Sequence, residues 1–169
     1  MKRSFYYGIK SAMGNNKKYK NSILKNGEDY VGVTCVFFCH DGKRRLLMHK
    51  RSQNCRDEKG RWDCGSGSME FGESFEACVC REMKEEYGIV PKSIKLCGVA
   101  NILRKNGKGR THWVAVVFAA KVNPKQNIKT SEPHKIQEIK WFSTKRLPKP
   151  LHSRLKKHLA MVKRAGVKI

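Results

Sequence analysis

Residues 67–89 read GSMEFGESFEACVCREMKEEYGI, and they constrain the fold more tightly than any other stretch of the chain. The stretch is punctuated by glycine: Gly65, Gly67 and Gly72 accept backbone angles and close approaches that other residues resist. Glu73 or Ser74 then starts a helix that runs to about Tyr87. Gly88 is its C-terminal stop, and Pro91 lies just beyond. Phe75, Cys78, Val79 and Met83 recur every three or four residues and form an apolar stripe. Glu82, Glu85 and Glu86 share a different face. Three carboxylates crowded there repel one another. Lys84 lies off their face, so relief must come from Arg81 or from a cation outside the chain. Mg2+ or Mn2+ would serve, because both take carboxylate oxygens. Taken by itself, the same triplet also reads as a solvated acidic helix face.

The rest of the composition sharpens the contrast. The chain has 169 residues, 37 Lys and Arg against 14 Asp and Glu, and a formal net charge of +23. Of the acids, Glu70, Glu73, Glu76, Glu82, Glu85 and Glu86 all fall in this one region. So strong a positive balance favours polyanionic partners such as nucleotides, nucleic acid or anionic surfaces. The length suits one domain with a real core. No apolar run approaches the length of a membrane span, and no secretory h-region opens the chain, so no membrane partner and a cytoplasmic location are expected. Seven cysteines without a C-x-x-C pair read as buried free thiols rather than a disulfide framework.

Along the chain, residues 1–28 read as a basic arm, and residues 29–169 as a single domain. Phe5, Tyr6, Tyr7 and Tyr19 are interleaved with lysines in the arm; they suit either base stacking or a short strand on the sheet. Residues 30–39 and 45–50 are strands around a hairpin turn at 40–43, and 62–64 are a short strand. Further strands are expected at 94–103, 112–122 and 136–143, with a tight basic turn at 105–109 and a polar loop at 124–133. Leu147, Pro148, Lys149 and Pro150 make a rigid break. Leu151, Leu155, Leu159 and Val162 then place an amphipathic helix over 152–165, ended by Gly166. Its basic outer face reads either as solvated or as an RNA contact. Helices on both sides of a mixed sheet give an α/β/α sandwich.

Gly67, Glu73 and the run Arg81-Glu82-Met83-Lys84-Glu85-Glu86-Tyr87-Gly88-Ile89, at these spacings, fill every fixed position of the signature of the Nudix hydrolases. The chain resembles that family, whose fold is the same sandwich. The resemblance implies hydrolysis of the pyrophosphate bond in a nucleoside diphosphate linked to another group. It implies that Glu82, Glu85 and Glu86 hold Mg2+ (or Mn2+), that one of them is the general base, and that Glu73 pairs with Arg81. The Ser66 carbonyl and a further carboxylate, Glu132 with Glu138 as the alternative, are additional candidate ligands. Arg51, Gly67, Trp113, Phe118 and Trp141 are candidate substrate contacts; His112 and His134 are weaker ones. Many relatives have Pro-Gly-Gly where this chain has Gly65-Ser66-Gly67, so Ser66 is expected to adopt a loop geometry usually given to glycine.

Glu132-Pro133-His134-Lys135, followed by Trp141 and Leu147-Pro148, resembles members that cleanse nucleoside triphosphate pools (the MutT-like group). A small nucleotide, most of all a (deoxy)nucleoside triphosphate, is the expected substrate. Removal of a cap or pyrophosphate from an RNA 5′ end is the alternative that the charge favours. A non-catalytic nucleotide or RNA sensor is a third reading, opposed by the intact box. Dimers are frequent in the family, so a homodimer is a further expectation.

Overall fold

The computed structural model describes residues 24–106 and 109–169. The aromatics of the basic arm and the tip of the 105–109 turn lie outside that set. Seven strands form one mixed sheet: β1 (Gly32–His40), β2 (Arg45–Arg51), β3 (Trp62–Asp63), β4 (Gly65–Ser68), β5 (Pro91–Asn106), β6 (Gly109–Val122) and β7 (Ile136–Ser143). Helix α1 (Phe75–Tyr87) lies between β4 and β5, and helix α2 (Leu155–Arg164) follows β7. The main strand order is β3-β2-β1-β6-β5, with β4 pairing to β1 and β7 to β2. β1 and β6 run parallel, and the other pairs are antiparallel.

The period-2 alternation of the central strands sorts their side chains into two cores. On one face Val36 and Phe38 of β1 join Ala115, Val117 and Ala119 of β6 beneath Leu155, Leu159 and Val162 of α2. On the other, Cys35, Phe37 and Cys39 join Val116, Phe118 and Ala120 beneath Val79, Met83 and Tyr87 of α1. A helix therefore covers each side of the sheet, which is the expected sandwich. All seven cysteines are free thiols, and five are buried.

α1 begins where the sequence places it. The Ser74 side chain caps it by accepting from the Ala77 N–H at 3.1 Å, and Gly88 ends it at φ 68°. At the stop, the Gly88 N–H donates to Lys84 O and the Ile89 N–H to Met83 O, closing orphan carbonyls of the last turn. The apolar stripe differs from its expected form. Phe75 remains 39% exposed, while Cys78, Val79 and Met83 are fully buried. The inward face is completed by Tyr87 and by two acids, Glu82 and Glu86.

Several expectations are corrected. Residues 65–68, expected as loop, form β4, with Phe37 opposite Gly65 and Cys35 opposite Gly67. Ser66 is not among the residues at positive φ, so it takes ordinary strand geometry and needs no glycine-like conformation. β5 and β6 extend beyond 94–103 and 112–122 because they pair with each other along almost their whole length. α2 starts at Leu155 rather than His152, since the His152 N–H donates to Trp62 O and fixes the preceding turn to β3. Within the described part of the 1–28 segment, the His112 N–H donates to Gly27 O, and Gly27 lies against the Trp113 ring.

Burial separates the two ends of the α1 stripe energetically. Met83→Ala is expected to lower the unfolding free energy by about 2–5 kcal/mol, and Phe75→Ala by well under half as much. Urea denaturation of the two variants measures both; equal losses would show that the helix packs differently.

Candidate active site

The carboxylate face of α1 is held against β4 by an approach that only glycine permits. A Cβ built on Gly67 would lie 1.7 Å from Cδ of Glu82, and one on Gly65 would lie 1.9 Å from the Phe37 ring and 2.7 Å from Oε2 of Glu86. Glu82 and Glu86 are thereby buried, at 9% and 8% exposure, whereas Glu85 stands at the rim. The backbone N–H of Ser66 donates to Glu86 Oε2 at 3.2 Å. Burial, reinforced by Glu82, Asp63 and Glu132, pushes the Glu86 carboxyl well above the ordinary carboxylate range. Glu82 is also raised, chiefly by burial, with Arg81 opposing.

Arg81 organises the other side of the cluster. Its guanidinium donates to both oxygens of Glu73 at 2.9 and 3.1 Å, to Glu82 at 2.6 Å, to Glu85 at 3.4 Å and to Ser68 O at 3.1 Å. The hydrogen bonds from Arg81 hold Glu73 down to about 2. Glu73 and Arg81 are thus joined as anticipated, and Glu86 is the member of the triad that Arg81 does not reach. The loop before β7 docks beside them: Lys129 and Ser131 donate backbone N–H groups to Tyr87 O and Glu85 O. It brings Glu132, paired with Lys135, close enough to act on Glu82 and Glu86. Glu138 instead sits on β7 opposite Lys50 and pairs with Lys140.

Among the described residues, no three His, Cys, Asp or Glu side chains converge as a finished metal cage. Arg81 engages two of the triad, Glu82 and Glu85. The residues nevertheless fit a hard divalent cation. Glu86 is buried with one backbone donor, its carboxylate neighbours add to its charge, and the space beside Glu82 exists only because residue 67 lacks a Cβ.

On the opposite side of β4 the sheet opens into a cavity of about 210 Å3. Thr34, Ser66 and Ser68 form its floor, Ile102 and Trp113 a wall, and Arg51 a flank. Arg51 donates to Asp57 Oδ1 at 2.9 Å, and Arg104 of β5 donates to Asp57 Oδ2 at 2.6 Å. Arg104 Nη2 also lies 3.2 Å from His152 Nε2. Asp63 is buried between these groups, with Oδ2 3.9 Å from Arg51 and 3.7 Å from His152. Burial raises Asp63 to about 7 against the pull of Arg51, and burial lowers His152 to about 4. The cavity thus presents an aromatic ring, paired guanidiniums and a carboxyl that holds its proton near neutral pH.

The expected substrate contacts separate. Arg51, Gly67 and Trp113 meet at this cavity. Phe118 does not: it is 1% exposed in the core beneath α1, leaving no ring face for a base. Trp141 lies beside a different cavity, with Ile128 and Thr130, and its ring carries the Arg45 guanidinium at 5.5 Å. His112 pairs with Asn101 on the face away from Trp113, and exposed His134 gives its backbone carbonyl to Ser52. Arg104, Asp57, Asp63 and His152 were not anticipated. The alternation Ile102, Arg104 along an apolar strand was a usable signal for Arg104; His152 carried none, because its place depends on the chain crossing from β7 to α2.

The raised carboxyl of Glu86 has a consequence for stability. The folded chain retains a proton that the unfolded chain releases above its ordinary value near 4.5. Without metal, this group therefore costs stability increasingly as pH rises from there toward the folded value. Glu86→Gln is expected to raise the melting temperature of the metal-free protein at pH 7 and to have little effect at pH 4. An equal effect at both pH values would contradict the burial of a strained charge.

The NUDIX domain family model matches residues 29–162. An ADP-ribose pyrophosphatase of Methanocaldococcus jannaschii is 33% identical over 105 residues, covering 62% of this chain and 58% of that protein. An uncharacterized Nudix hydrolase of Bacillus subtilis is 35% identical over 106 residues, 62% of this chain and 63% of its own. This chain thus spans about three-fifths of the length of these relatives. The crystal structure of a MutT NUDIX hydrolase from Burkholderia pseudomallei superposes with a TM-score of 0.70 at 28% identity, covering 79% of this chain and 98% of that one. The signature on α1, the sandwich around it and the match over residues 29–162 agree, and the chain belongs to the Nudix family.

Proposed function

We propose that the chain is a divalent-cation-dependent hydrolase that cleaves the pyrophosphate bond of a nucleoside diphosphate linked to another group, with a (deoxy)nucleoside triphosphate or another small nucleotide as substrate. The observation that carries the reading is the placement, across one glycine-bearing strand, of a buried carboxylate cluster and an Arg- and Trp-lined cavity. The relatives support it: one carries the name ADP-ribose pyrophosphatase, and a mouse relative, 28% identical over 130 residues, the name 8-oxo-dGDP phosphatase.

In this reading residues 29–169 act as one unit, with residues 1–28 as a basic arm. Glu82, Glu85 and Glu86 hold Mg2+ or Mn2+, with the Ser66 carbonyl and Glu132 as further ligands. When bound there, such a cation would supply neutralisation of phosphate charge and acidification of the attacking water. Trp113 gives a base a stacking face, and Arg51 faces the phosphates. Arg81 holds Glu82 and Glu85 in place and is itself fixed by Glu73. A member of the glutamate triad accepts the proton from the attacking water. Gly67 lets the phosphates pass close to β4 between the cavity and the cluster.

A panel of nucleoside triphosphates, ADP-ribose and nucleotide sugars, assayed with Mg2+, tests the reading. Glu86→Gln is expected to reduce kcat by about 100-fold or more. Turnover that survives in this variant would remove the triad from the chemistry. A subtler variant is Gly67→Ala. Its methyl group meets the terminal carboxylate of Glu82 rather than backbone, so the fold should persist as Glu82 is displaced, with an unchanged circular dichroism spectrum, while kcat falls about as far. Arg51→Ala is expected to raise KM about tenfold with a smaller change in kcat; the reverse pattern would place Arg51 away from the phosphates.

A further inference from the structure

Asp57, in the segment between β2 and β3, sets its carboxylate between two guanidiniums. Oδ1 accepts from Arg51 Nη2 at 2.9 Å, and Oδ2 accepts from Arg104 Nη1 at 2.6 Å. Arg56 stands 3.9 Å from Oδ2. The Asp57 carbonyl accepts twice more from Arg51, at 3.0 and 3.2 Å. All four residues line the cavity. Among the described residues, every ion-pair partner of this carboxylate is a guanidinium.

The two arginines are nearly spent on these contacts. Nε and Nη2 of Arg51 both donate to Asp57, and Nη1 lies 3.9 Å from Asp63. Arg104 gives Nη1 to Asp57, and its Nη2 faces His152. Arginine holds a phosphate through paired N–H groups, and few remain while Asp57 is in place. One carboxylate among three guanidiniums leaves the spot positive. The side chains of Arg51, Arg104 and Asp57 are between 19% and 26% exposed, so a ligand can reach them. A polyphosphate brings more charge and more acceptor oxygens than Asp57 does, and it can take both arginines at once.

Two further observations point the same way. Glu58, next to Asp57, sits at φ 51°, a left-handed backbone that a glutamate adopts at a cost. Contacts from afar hold it there: Ser153 donates to its carboxylate through both N–H and Oγ, and Arg61 lies 3.1 Å away. The strained turn that presents Asp57 is thus not a local preference of the sequence. Arg104 also stands at a useful distance from the stacking ring. It is two residues beyond Ile102, the cross-strand partner of Trp113, and so about 7 Å along the strand. That step is comparable to the ribose that separates a base from its phosphates.

We infer that Asp57 stands in the seat of the substrate's phosphates, which displace it and then bind Arg51 and Arg104 together. The inference rests on the reading of this cavity as the seat of a nucleotide. It gives Arg104 a place beside Arg51 as a substrate-binding residue, and it makes Asp57 a built-in competitor. The arginines stay paired until a ligand of sufficient negative charge arrives, and Asp57 recaptures them when the product leaves.

The test is isothermal titration of the full chain with α,β-methylene-ATP and Mg2+ at fixed ionic strength, with melting temperatures measured alongside. Asp57→Asn keeps the side-chain shape and removes the competing charge; it is expected to bind the analogue about five- to tenfold more tightly than the parent. Arg104→Gln is expected to bind it about tenfold more weakly. In Asp57→Asn/Arg104→Gln most of the gain should vanish, because one of the two released arginines is gone. Unchanged or weaker binding in Asp57→Asn, the outcome for a carboxylate that only orients the arginines, overturns the inference. Unchanged binding in Arg104→Gln overturns it as well. A parent that shows the expected pattern yet hydrolyses no nucleotide counts against the hydrolase reading instead. A parent that does not bind the analogue overturns the inference together with the reading of the cavity.

Discussion

The structure depends on one close approach: α1 lies so near β4 that two carboxylates are buried between them. Gly65 and Gly67 make room for this approach, since a Cβ at either position would collide with Phe37 or Glu82. The hydrophobic contacts of Val79, Met83 and Tyr87 hold the helix down on the sheet. Glu82 and Glu86 are carried inward with them, on the same face of the helix. Burying charge costs free energy unless it is paired. Arg81 supplies part of the compensation at Glu82, and a backbone N–H supplies a little at Glu86. The deficit that remains is of the kind a divalent cation removes, so the local cost and the proposed capacity to bind metal would have the same origin.

The sheet then divides the work between its two faces. The α1 face is acidic at its edge and densely packed beneath. The α2 face is cationic and opens into the cavity flanked by Arg51 and Arg104. β4 is the partition, thin because two of its four residues are glycine. A substrate with an anionic bridge and an aromatic base would meet opposite chemistries on the two sides of that partition. Asp63 and His152 sit at the boundary, one holding its proton near neutral pH and the other losing it.

Much of this was legible in the sequence, and the limits have physical causes. The start and stop of α1 were readable because Ser74 and Gly88 are local devices whose partners lie within a turn. The strands of the central sheet were readable from apolar density. β4 was not, because Gly-Ser-Gly-Ser carries no strand propensity and forms only by pairing with β1. The acids on the helix were legible as a cluster, yet their burial was not, since amphipathic patterning assigns Glu to water. Trp113, Phe118 and Trp141 looked alike as aromatics on late strands. The alternation of β6, set by its partners, sends Phe118 to the core under α1 and leaves Trp113 at the cavity. Arg104, Asp57 and His152 come together from three distant segments, a contact that no local spacing encodes.

The central claim is that the carboxylates on α1, with buried Glu86 held toward its protonated form, make up the proposed cation site. Isothermal titration of the metal-free protein with Mn2+ near pH 7, repeated in two buffers of different ionisation enthalpy, measures the protons released on binding. The account predicts saturable binding accompanied by net proton release, because a cation beside Glu86 displaces the proton that burial favours there. Binding with no proton release, or no saturable binding at all, would contradict it.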